Sequence, residues 1–321
     1  MTVAESKSSE LEDSKANATF QHILVATDFS EPSRKALCDA LILASEHHAY
    51  VSVVHALPAD QQSSALDSPP ALDLARSNAE RQMKALVREL EAEQKIDTLV
   101  VRHGPIAKVV ASLIEEAAID LLVIGTRGRG GLRKIALGSV AEELLRVVPC
   151  PVMTFGPKAE IAAIKNGPGF HRILFATDFG KGSEKAMPLA LSLARAHQAE
   201  LILLHMMQTL PATTGSLSAY SPSTLAADEL LEWEGATRKR ALQKLKDCLP
   251  VNTGLTQKVE FVVGTDLIPE GVLNAAGKYN ADLIVMGANR AASPRIAAHI
   301  PWSAVHEVVR NAACPVLTVA E

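Results

Sequence analysis

Residues 22–30 read HILVATDFS, and residues 172–180 read RILFATDFG. DLLVIG at 120–125 returns as DLIVMG at 282–287, and CPVMTF at 150–155 returns as CPVLTV at 314–319. Three matches in the same order, displaced by 150, 162 and 164 residues, describe a duplicated domain. Solenoid repeats run to roughly 20–50 residues, so a period this long means tandem domains.

Within the first copy, apolar runs and amphipathic segments alternate. ILVATDF reads as a buried strand, and Ser30 can cap a helix through EPSRKALCDALILASEHH. YVSVVHA is a second strand; a Pro/Ser-rich loop at 57–70 precedes a long helix over 71–95. TLVVRH is a third strand, followed by the helix IAKVVASLIEEAA. LLVIG, a helix from Ser139 to Val148, and the strand PVMTF complete the unit. Parallel strands need crossover connections, and helices supply them here. The expected class is therefore α/β, with two tandem doubly wound domains. Each is a five-stranded parallel sheet of order 3-2-1-4-5 with helices on both faces. The second copy repeats the plan, with its long helix over 223–248. The expected limits are a disordered tail at 1–19, domains at 20–156 and 170–321, and a linker at 157–169 punctuated by Gly and Pro.

Composition narrows the class. The chain has 321 residues, 48% of them hydrophobic, enough to bury two cores. A net charge of -4 gives no reason to expect nucleic acid as a partner. No apolar run reaches membrane-spanning length, and the tail has no signal-peptide core. The four cysteines lack C-x-x-C spacing, which argues against zinc or a disulfide framework and fits a reducing cytoplasm.

The segment TRGRGGLRKIALGS, 126–139, joins the fourth strand to the last helix. In an open α/β sheet, ligands bind beyond the carboxyl ends of the strands where strand order reverses, so this loop faces the expected site. Glycines let a backbone approach a ligand or adopt positive φ, and Ser139-Val-Ala-Glu142 has the spacing of a capping box. A helix N-terminus there would attract an anion, and Arg127, Arg129, Arg133 and Lys134 add positive charge. The alternative is a solvated basic loop.

The chain has no G-x-x-x-x-G-K-[ST], and DFSEPS stands where a G-x-G-x-x-G loop would follow the first strand. Gly125-x-x-Gly128, nine residues, then Gly138-Ser139, resembles the ATP-binding signature of the universal stress protein family, as does TDFS. The resemblance covers both halves beyond the tail. It implies ATP, alone or with Mg2+, with phosphates on Gly125, Gly128, Gly138, Ser139 and Val140. It implies adenosine near Ala26 and Asp28, with Ala56 at the end of strand two and Ile124 walling the base. Small Ala26 and Ala56 would leave room for a flat ring, and Asp28 could accept from ribose hydroxyls or serve merely as a turn residue.

The second loop departs from this pattern. Gly287 remains, but Arg290 and Trp302 stand where Gly128 and Gly138 would, and the spacing is two residues longer. A degenerate nucleotide site and a structural role are expected, though Arg290 and Arg295 could attract another anion. His55 and His205, at equivalent ends of strand two, read as satisfied rim histidines. Cys150 and Cys314 read as packing residues.

The leading expectation is an ATP-binding module in stress physiology, the physiology resting on the resemblance alone. The alternatives are a slow magnesium-dependent hydrolase or nucleotidyl transferase using Asp28, and a nucleotide-free structural interaction protein. The short apolar fifth strands should meet around a pseudo-twofold axis, making the chain a fused dimer; a homodimer of whole chains is a further option.

Overall fold

The computed structural model describes residues 20–57, 69–126, 137–159, 169–207, 224–288 and 302–321. The tail, the loop at 127–136, most of the linker and residues 289–301 lie outside them, and with them Arg127, Gly128, Arg129, Arg133, Lys134, Arg290 and Arg295.

The first half runs β1 (His22–Ala26), α1 (Glu31–His47), β2 (Tyr50–Leu57), α2 (Pro69–Glu89), β3 (Thr98–His103), α3 (Ile106–Glu116), β4 (Leu121–Gly125), α4 (Ser139–Val147) and β5 (Val152–Phe155). The second runs β6 (Arg172–Thr177), α5 (Lys181–Ala196), β7 (Glu200–Met206), α6 (Thr224–Asp247), β8 (Val259–Gly264), α7 (Ile268–Lys278), β9 (Leu283–Ala288), α8 (Trp302–Asn311) and β10 (Val316–Ala320). All strand pairs within a half are parallel, and the order β3-β2-β1-β4-β5 of the first half recurs in the second as β8-β7-β6-β9-β10.

Local chemistry sets the element ends. Ser30 caps α1 from an extended backbone, with proline in the first helical positions. The helix closes on His48, whose φ of 51° is left-handed. α2 stops at Glu89, short of the expected 95, because Glu91 turns left-handed and the Ala92 amide donates back to the Val87 carbonyl. Carboxylates pin the first strand of each half. Asp120 accepts from the Gln21 and His22 amides, and Asp282 from those of His171 and Arg172.

β5 and β10 pair antiparallel, so the two five-stranded sheets make one ten-stranded sheet. Met153 faces Leu317 at the centre of the pairing, and both are fully buried. On either side the contacts mirror one another. Thr154 Oγ1 donates to the Val316 carbonyl at 3.1 Å, and Thr318 Oγ1 to that of Val152 at 3.2 Å. This is the isologous pattern of a twofold interface, formed within one chain.

One core, beneath α1, α2, α5 and α6, runs continuously across both halves. The opposite face carries two cores, one under α3 and α4 and one under α7 and α8, with Leu137 packed against both. At the axis on the first face, His47 and His197 meet Nε2 to Nε2 at 3.2 Å, flanked by Phe20 and Phe170. Burial, with the neighbouring imidazole second for His47, pushes both down to about 4.

Candidate functional site

The carboxyl ends of β1, β2 and β4 form a crevice at the point where strand order reverses. Ala26 registers with Val54 on one side and Ile124 on the other, so the three side chains share a sheet face. Ala56, two residues beyond Val54, lies on it too. Ala26 and Ala56 are half-buried, and Ile124 is buried in the core under α3 and α4. The structure thus gathers Ala26, Ala56 and Ile124 and adds Val54, hidden in the sequence among the valines of β2.

Thr27, Asp28 and Phe29 make a tight turn after β1. The Phe29 amide donates to Thr27 Oγ1, while the Ser30 amide and hydroxyl both donate to Asp28 Oδ1. Phe29 is left-handed, with φ 63°, and its ring lies 4.5 Å from that of His55. The second half repeats this arrangement. Phe179 has φ 58°, its amide donates to Thr177 Oγ1, and Asp178 Oδ1 accepts from the Gly180 amide and the Ser183 hydroxyl. His55 and His205 each place Nδ1 2.8 Å from the carbonyl of the threonine that opens the turn. A carbonyl only accepts, so Nδ1 carries the proton in both rings. The repeated Thr-Asp-Phe triplet is explained by this turn in both halves.

Gly125 answers to packing as well as to any ligand. Its φ is not positive, and a Cβ there would lie 2.8 Å from the Pro32 carbonyl oxygen at the start of α1. At Gly287 the approach is closer, 2.2 Å from the Gly182 carbonyl carbon and from the Ser183 nitrogen. The glycine that persists in both halves therefore admits a helix N-terminus against the sheet.

Gly138, not Ser139, caps α4, which corrects the capping-box expectation. Gly138 is extended, with φ −63° and ψ 141°, and no side chain caps the helix; its amide donates to the Thr126 carbonyl and its carbonyl accepts from the Glu142 amide. The strand-to-cap hydrogen bond places the cap on Gly138, and the helix starts at Ser139 as expected. Ser139 and Val140 then occupy the first turn, where amides have no intrahelical partner, beside the end of β4.

In the second half the crevice is a cleft of about 620 Å³, floored by Ala176 and Leu204 and bordered by α6 and α7. Met206 holds the position that Ala56 holds in the first half. Its thioether fits against two glycines, since a Cβ on Gly264 would lie 2.6 Å from Met206 Cε and one on Gly271 2.1 Å from it. Cys150 and Cys314 are buried, and burial pushes the Cys314 thiol up to about 12. Among the described residues, no group of three His, Cys, Asp or Glu side chains gathers to hold a metal, and no helix is long and apolar enough to cross a membrane.

Duplicated doubly wound sheets with reversals of strand order at equivalent points define a tandem α/β protein. The chain belongs to the universal stress protein family, whose family model matches residues 19–155 and 169–320. A universal stress protein of Thermus aquaticus is 31% identical over 136 residues, covering 42% of this chain and 97% of that one. A longer relative from Mycolicibacterium smegmatis is 28% identical over 200 residues, 59% of this chain and 65% of its own. The crystal structure of a universal stress protein from Archaeoglobus fulgidus superposes with a TM-score of 0.64 at 20% identity, over 95% of this chain and 97% of that one. At that identity the likeness speaks for the fold.

Proposed function

We propose that the chain is an ATP-binding universal stress protein acting as a binding and signalling module, with nucleotide in the first crevice and a second half of mainly structural role toward that nucleotide. The observation that carries this reading is the convergence at one sheet end of small Ala26 and Ala56 with the first-turn amides of α4, which have no intrahelical partner. The alanines leave width for a planar base, and the amides of Ser139 and Val140, with the helix dipole, favour phosphate oxygens. Gly125, Gly128 and Gly138 would keep the loop backbone close to the phosphates. ATP supplies its own ligands for Mg2+, so the ion would arrive with the phosphates.

The hydrolase reading needs Asp28 as an acid or metal ligand, but its Oδ1 already accepts from both the amide and the hydroxyl of Ser30. Binding without fast turnover is the simpler use of this geometry. The test is nucleotide analysis of the purified protein, followed by ATP titration of a Gly128→Val, Gly138→Val double variant. The expected outcome is copurifying adenine nucleotide and at least a tenfold loss of ATP affinity with the thermal midpoint held. Unchanged affinity in the folded variant would overturn the reading.

A further inference from the structure

We infer that the second crevice is a binding site for a small aromatic carboxylate, held by Arg240 and Lys244, and not a vestigial nucleotide site. The proposal stands whether or not the first crevice holds ATP. The cleft of about 620 Å³ falls within the range of roughly 300–1,000 Å³ typical of small-ligand sites, and its interior is apolar around Ala176, Leu204 and Val272. α6 borders it with Trp233, Thr237, Ala241 and Lys244, spaced three to four residues apart on one helix face, and with Arg240 beside them.

That face carries two cations at the mouth. The Lys244 ammonium sits 4.8 Å from the centroid of the Phe179 ring, which ties it to the cleft wall. Arg240 donates from Nε to the Ala236 carbonyl and from Nη2 to Thr237 Oγ1, both at 3.4 Å. These bonds are long, and an incoming carboxylate offers shorter, charge-assisted ones. Among the described lining residues the opposing charge is Asp178, whose Oδ1 is turned toward the start of α5 by Gly180 and Ser183. Burial lowers the basicity of His205, against the raising effect of its hydrogen bond to the Thr177 carbonyl.

Met206 stands where the first half has Ala56 and packs against Gly264 and Gly271, which gives the second crevice a different lining. Two side-chain cations on a helix suit one anionic group, and the apolar interior with Trp233 and Phe179 at its borders suits a planar hydrocarbon body.

The experiment titrates the full chain with 2-naphthoate, its neutral analogue 2-naphthamide, and ATP. Naphthoate is expected to bind once per chain and at least tenfold more tightly than naphthamide. An Arg240→Gln, Lys244→Gln variant should lose at least tenfold in naphthoate affinity with ATP affinity and thermal midpoint unchanged, since both positions are exposed. Thr237→Trp, which fills the cleft from the helix, should abolish naphthoate binding. Equal affinity for the amide, or retained binding in either variant, would overturn the proposal. So would displacement of naphthoate by ATP in the Gly128→Val, Gly138→Val chain, which would make the second crevice a nucleotide site.

Discussion

At the ends of β1 and β6 the backbone follows the same path: a threonine hydroxyl holds a left-handed phenylalanine, an aspartate receives the helix start, and a histidine buttresses the turn. Two residues beyond each crevice floor, the halves part. Ala56 leaves width in the first, while Met206 fills the same place in the second and is accommodated by Gly264 and Gly271. The lesson is that identity between the halves includes positions that the fold requires, and the glycine after strand four is one of them. Gly125 and Gly287 hold that position, although the motif containing Gly125 reads as a phosphate loop.

The largest expected effect tests how the halves meet. Met153→Lys with Leu317→Lys would set two ammonium groups opposite each other in a dry seam, and should cost about 4 kcal/mol or more in urea unfolding of the full chain. A midpoint equal to that of the parent would mean that β5 and β10 do not hold the halves together.

The glycine comparison comes next. Gly287→Ala should destabilise by about 3 kcal/mol and Gly125→Ala by about 1–2 kcal/mol, because the added Cβ meets fixed backbone and the second approach is tighter. The ratio matters more than either value. Equal and negligible losses would return Gly125 to a purely ligand-facing role, whereas a stability loss at Gly287 sharpens the packing account.

The last comparison concerns pH. His47 and His197 are neutral in the folded chain, with basicities lowered to about 4 by burial from an ordinary 6.5. Between those values the unfolded chain binds more protons, so their contribution is intact above 6.5 and is lost as pH falls toward 4. The two together should cost about 2 kcal/mol between pH 6.5 and 5.5. Glu46, which burial raises, acts in the opposite sense just above its ordinary range and offsets part of the loss; His48 and His171 are the other titratable neighbours. A His47→Gln, His197→Gln chain should flatten this part of the stability profile. A slope identical in parent and variant would assign the acid sensitivity elsewhere.

Alternation of apolar runs with amphipathic segments determined the parallel α/β class, because parallel strands demand crossovers and the pattern supplies them. Repetition of TDF, of the glycine after strand four, and of Cys-Pro before strand five determined the duplication. Those signals are local, and each survives without knowledge of what packs where. Helix ends were less legible. Nothing in Ser139-Val-Ala-Glu142 announces that Gly138 will take the cap, since that follows from its hydrogen bond to Thr126 across the loop. The contact of His47 with His197, 150 residues apart, exists only because the seam brings two helix ends to one axis. The cleft beside α6 is likewise tertiary. Arg240 and Lys244 read as an ordinary solvated helix face until the helix is laid across β7 and β8 and borders the cleft at the end of the sheet. Sequence fixes periodicity and turn chemistry through neighbours along the chain, and the tertiary structure decides which of those surfaces face each other.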